Sequence, residues 1–177
     1  AHQAIRQFWA FSALFLDSFA IAGQSLIGFF QGAGLKHWSR LVASVVTGWN
    51  LLTGILLGAA MLAGEKAAIF FLVPESSVVV FRDAWRICAL FMPLNSISFA
   101  TDGIHWGTGD FAYLRNAVIT ATFAGIGTLY LAGLYGNLSL AGIWMVTGVW
   151  ILVRSILGII RIWPGIGKAP LREDIKR

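Results

Sequence analysis

Residues 89–115 read ALFMPLNSISFATDGIHWGTGDFAYLR, an apolar helical run that carries Pro93, Asn95, Ser98, Asp102 and His105 and then breaks at Gly107–Asp110. Hydrocarbon is an expensive place for an acid, an imidazole and a proline. Ionisable groups in spanning segments are rare and face a bundle interior, a wet cavity or an ion path. Asn95, Ser98, Asp102 and His105 fall at i, i+3, i+7 and i+10, one face of a helix. Pro93 lacks an N–H and leaves a carbonyl free near Ala89. A bend and a free carbonyl beside a polar stripe favour an ion-binding role for Asp102. Asp102 and His105 are expected to share a proton, since imidazole titrates near neutrality. The alternative is that His105 only caps or orients and Asp102 sits at the headgroups.

Composition agrees with a membrane setting. The chain has 177 residues, of which 58% are hydrophobic and 12% charged, and its mean hydropathy is +0.76. Soluble domains carry about 25% charged residues, so half the usual solvating charge is missing. The fold class is all-α, a polytopic helix bundle, because helices satisfy their backbone internally in lipid. Five spans of the required length, about 20 residues, are predicted at 8–30, 41–62, 86–106, 116–134 and 138–162. Residues 1–163 form one transmembrane unit, and 164–177 a disordered cytoplasmic tail. The net charge of +5 does not imply nucleic acid, because the basic residues flank apolar runs and form no continuous stripe.

Orientation follows from those basic residues. Lys36, Arg40, Arg115 and the basic residues of 161–177 fall on one side; Arg6, Lys66, Arg82 and Arg86 fall on the other. The richer side is cytoplasmic by the positive-inside rule, which leaves the N-terminus external. The connection 63–83 is read as an interfacial segment at the outer surface, because its apolar flanks AIFFL and VVVF are too short to cross. Trp9, Trp38, Trp85, Trp106 and Trp163 near helix ends are read as interfacial anchors. The chain begins at Ala1 without Met, and is expected to be the back end of a longer protein.

The first helix has a polar stripe of its own. Asp17, Gln24 and Gln31 recur every seven residues, about two turns, with Ala20 and Gly28 beside them. An ionised carboxylate at mid-span costs about 2.5–3.5 kcal/mol on insertion scales, so Asp17 either stays protonated, faces water or meets a cation. Thr47, Asn50, Thr53 and Gly54 line one side of the second helix, to stabilise the bundle or to line a cavity. The fourth helix looks structural. Arg154, near the end of the last helix, is expected to snorkel to the headgroups. Gly28/Gly32, Ser44/Gly48, Gly54/Gly58 and Gly103/Gly107 are small pairs that let helix backbones approach. Cys88 is read as a small core residue. No metal-ligand spacing, phosphate loop or nucleophile elbow is present, so enzymatic chemistry is not expected.

Two motifs carry a resemblance. LDSFAIAGQSLIGFFQGAG (16–34) and FATDGIHWGTGDFAYLRNA (99–117) resemble the multidrug and toxic compound extrusion transporters, most of all their DNA-damage-inducible branch. The resemblance runs from Ala1 to about Trp163. It implies twelve helices in two six-helix lobes, exchanging substrate for H+ or Na+ by alternating access. This chain then supplies helices eight to twelve and lacks the N-terminal lobe and helix seven. The resemblance places the family's acidic position on helix ten at Asn95, which cannot carry a proton; Asp102 belongs to the branch's own motif. The implied function is antiport of small cationic or amphipathic organic compounds across the inner (plasma) membrane. The implied site residues are Asp102, Asp17, Asn95, His105, Gln24 and Asn50, with no cofactor beyond the coupling ion. The implied partners are the lipid bilayer and the missing lobe. Alternatives are a flippase for a lipid-linked precursor and a non-transporting assembly subunit.

Overall fold

The computed structural model describes residues 1–136 and 138–172. Six α-helices run in order: α1 (His2–Gly32), α2 (Lys36–Ala63), the short α3 (Glu65–Leu72), α4 (Val78–Thr108), α5 (Phe111–Leu134) and α6 (Leu140–Ile162), with a 3-10 turn at Glu75–Ser77. All but α3 and the turn are long and apolar enough to cross a bilayer, which gives five spans. At about 1.5 Å per residue, each exceeds the roughly 30 Å hydrocarbon core. The protein is a multi-pass helical membrane bundle. Its spans alternate in direction, so α1, α4 and α6 end together at the end that holds Lys36, Arg40 and Arg115, here called the basic end.

The central element is α4. It packs against α1, α2 and α6, while α5 leans chiefly on α6. Close packing follows from missing side chains. A Cβ on Gly58 would stand 2.7 Å from the Ala89 carbonyl oxygen, and one on Gly54 would stand 2.9 Å from that of Met92. On the other side, a Cβ on Gly103 would meet the Ala20 carbonyl oxygen at 2.5 Å, and one on Gly107 that of Gln24 at 2.7 Å. Backbone-to-backbone approach of this kind replaces the hydrophobic drive that lipid does not supply. The carbonyl of Ala89, deprived of its helical donor by Pro93, is the one that Gly58 approaches. Gly32 and Gly48 have open space around them and serve no such contact. The outer faces present Phe11, Leu14, Phe29, Trp49, Leu56 and Phe123, as a lipid-facing surface requires.

Three expectations change. Residues 78–81, read from sequence as one flank of a surface segment, are the first turn of α4, and Phe81 is fully buried. The other flank forms α3, whose Phe70 and Phe71 stay exposed and whose Glu65 is bound by Arg82 and Arg86. Trp85 is a core residue, not an anchor: its ring stacks on Phe81 and its indole N–H donates to the Met61 carbonyl at 2.8 Å. Nor is the tail loose through 172. Leu171 is buried with Ile27, Ala43, Ile104 and Ile162, and Arg40 donates to its carbonyl at 2.7 Å. Residues 173–177 of the expected tail lie outside the described residues. Cys88 is a buried free thiol in the cluster around Trp85.

Candidate functional site

The two polar stripes converge. Asp17 and Gln24 of α1 and Asp102 of α4 line one chamber of about 170 Å³, closed by Ala20, Ile21, Phe99, Gly103 and Trp106. The register follows from the glycine contact at Gly103 against Ala20, which sets the two acid-bearing turns side by side. Asp17 lies midway along α1 and is exposed; Asp102 lies six residues before the end of α4 and is half-buried. Gln31, the third member of the α1 stripe, does not line the chamber, and its amide nitrogen is buried without a partner among the described residues.

Asp102 also borders the α5 side of α4. Together with Trp106 it lines a second, larger groove of about 770 Å³ between α4 and α5, walled by Phe111, Ala112, Leu114, Arg115, Val118 and Ile119. Asp102 and Trp106 therefore form the partition between the two spaces. The fourth span, read from sequence as structural, supplies one wall of this groove. Arg154 of α6 reaches Asp102 and pairs with it through Nη2, so it does not snorkel away as expected. The guanidinium also lies over the Trp150 ring, 4.3 Å from its centre. Parallel α4 and α6 meet where the Thr101 side chain packs against Gly158, which has no side chain of its own to hold them apart. That contact brings position 154 beside position 102, a pairing across 52 residues that helix periodicity cannot reveal.

The rest of the α4 stripe turns inward. Asn95, Ser98 and His105 are buried, and Asn95 Nδ2 and Ser98 Oγ have no partner among the described residues. Asn50 of α2 is fully buried, with both amide atoms unpartnered among the described residues. Neither Asn50 nor Asn95 lines the Asp17–Asp102 chamber.

His105 corrects another expectation. Its Nδ1 lies 3.7 Å from Asp110 Oδ2, so its acidic neighbour is Asp110, not Asp102. α4 stops where Gly109 adopts φ +74°, and the Asp110 amide then bonds back to the His105 carbonyl at 2.9 Å. The turn swings Asp110 under the helix end. There Arg161 of α6 holds it bidentately, at 2.7 Å from Nε and 3.1 Å from Nη2. Arg161 also donates to the carbonyls of Ile166 and Lys168, and stacks 4.7 Å over Tyr113. Tyr113 in turn donates to the Leu157 carbonyl. This cluster locks α4, α5, α6 and the following segment at the basic end. Sequence reading missed it; the acid in the GTGD break was its sole visible signal. No cluster of three metal-ligating side chains occurs among the described residues.

The sequence has relatives. A family model named MatE matches residues 1–131. The chain belongs to the MatE family. It is similar to Protein DETOXIFICATION 44, chloroplastic, of Arabidopsis thaliana, at 26% identity over 98% of this chain and 34% of that protein. It is also similar to Protein DETOXIFICATION 45, chloroplastic, of the same plant, at 28% identity over 92% of this chain and 29% of that protein. A third relative there is Protein DETOXIFICATION 43, at 28% identity over 94% of this chain and 32% of that protein. This MatE chain spans about a third of the length of the curated relatives it matches. No solved structure matches it.

Proposed function

We propose that this MatE chain is part of a secondary active exporter that exchanges amphipathic or cationic organic compounds for H+ or Na+ by alternating access. It supplies helices eight to twelve of a twelve-helix protein of the DNA-damage-inducible branch, with its C-terminus on the cytoplasmic side of the plasma membrane. The names of its relatives, which speak of detoxification, support export. The observation that carries the reading is the shared chamber of Asp17, Gln24 and Asp102. Two carboxylates facing one small space repel when both are ionised, and a proton, a metal ion or an organic cation relieves that repulsion. Cation binding then favours whichever access state holds the acids closer, since a ligand shifts states only by differential affinity. Gln24 supplies a neutral dipole beside the acids. Asn50, Asn95 and His105 act as positioning groups in the helix contacts and not as ion carriers.

The test is ion-coupled export by the full-length protein in proteoliposomes. Asp102→Asn should lower coupled export at least tenfold while the protein still reaches the membrane, and Asp17→Asn should lower it less. Asp102→Asn also strands Arg154, so the double variant with Arg154→Gln separates folding from coupling: it should restore protein level without restoring export. Undiminished export by Asp102→Asn with the same ion would refute Asp102 as the coupling group.

A further inference from the structure

Among the described residues, two arginine–aspartate pairs join α6 to the α4 side, and they are built differently. Arg161 engages Asp110 with two nitrogens and spends further donors on two carbonyls. That is a saturated fork, the arrangement guanidinium and carboxylate favour for fixed contacts. Arg154 meets Asp102 through Nη2, and its Nε is buried with no partner among the described residues. Half the fork is idle. The side chains are 17% and 26% exposed, so the pair sits at the edge of open space and is not sealed. The paired guanidinium also lies over the Trp150 ring, an attraction of about 0.5–2 kcal/mol depending on desolvation, and that contact can persist when the bond to Asp102 opens.

Asp102 itself is the carboxylate common to the chamber and the groove. The charges facing it are Asp17 from α1, Arg154 from α6 and Arg115 from α5 at the groove wall. With Arg154 seated on Asp102, the chamber retains the single formal charge of Asp17. We propose that Arg154 is a tethered competitor for the cation site at Asp102: it occupies the carboxylate when no cation is bound and swings off it, still against Trp150, when one enters. This rests on the export reading above and adds the element that sets the site's affinity. An intrinsic competitor keeps the carboxylate from remaining empty and charged in a low-dielectric site, where an unpaired ion is costly. It also weakens cation binding enough for release, because the departing ligand is replaced at once.

The experiment measures equilibrium binding of tetraphenylphosphonium to the full-length protein at fixed pH and salt. Arg154→Gln should bind the probe at least tenfold more tightly, and the gain should vanish in Asp102→Asn/Arg154→Gln. Arg154→Lys keeps the charge but shortens it and removes the fork, so it is a weaker competitor and should bind the probe severalfold more tightly; it decides the matter if Arg154→Gln does not fold. Unchanged or weaker binding by Arg154→Gln, or by Arg154→Lys, overturns the competitor role while leaving the export reading intact, provided Asp102→Asn still abolishes binding. Full binding by Asp102→Asn overturns both.

Discussion

Gly103→Ala tests the contact that makes the chamber. The new Cβ would lie 2.5 Å from the Ala20 carbonyl oxygen and 3.0 Å from Ala20 Cα, backbone atoms that no rotamer change can move. Ordinary van der Waals contact begins at 3.4 Å, so α1 and α4 must separate by nearly an ångström or bend. Overpacking of this kind costs about 1–3 kcal/mol. Against that stands the helix-propensity gain of alanine over glycine, about 1 kcal/mol. Gly48→Ala, on α2 with nothing within 4 Å, receives the same gain without the clash. The difference between the two variants therefore isolates the overpacking, about 2 kcal/mol, or some 30-fold in the unfolding equilibrium at about 1.4 kcal/mol per decade. Reversible unfolding in mixed micelles, followed by tryptophan fluorescence, reads it directly. If the two variants agree within about 0.5 kcal/mol, the α1–α4 approach is not tight at Ala20. The juxtaposition of Asp17 with Asp102 then loses its support.

Other outcomes follow from the two ends of the bundle. Arg161→Ala leaves Asp110 and the carbonyls of Ile166 and Lys168 without their donor. Removing one member of a largely buried pair costs about 3 kcal/mol, so the variant should unfold at lower denaturant and be cut faster by trypsin at Lys168. At the opposite end, Arg86 and Arg82 hold the Glu65 carboxyl below its ordinary range, the Arg86 hydrogen bond being the largest cause. A lowered folded-state value means that this stabilisation is full at neutral pH. It fades below the ordinary glutamate value, about 4.3, as acid protonates the folded carboxylate. Hydrogen exchange in α3, corrected for its intrinsic pH dependence, should therefore accelerate as the pH falls below about 4.3, and Glu65→Gln should be fast throughout and lack this dependence.

Sequence alone determined the helical class, the five spans and the two polar stripes. Hydropathy over about twenty residues is a local property, and so is the periodicity that puts Asp17, Gln24 and Gln31 on one face. The close-packing glycines were legible as pairs, but which pairs packed was not. Gly54/Gly58 and Gly103/Gly107 meet neighbouring backbones, whereas Gly32 and Gly48 face open space. Spacing within one helix carries no information about what stands opposite.

Tertiary structure decided the partners. Arg154 belongs to Asp102 and Arg161 to Asp110 through contacts between residues far apart in the chain, and His105 lies beside Asp110 across the turn at Gly109. The sequence places each charge at a depth along its helix. The rotation and offset of one helix against another, set here by a few glycines that admit backbone contact, select which of those charges meet.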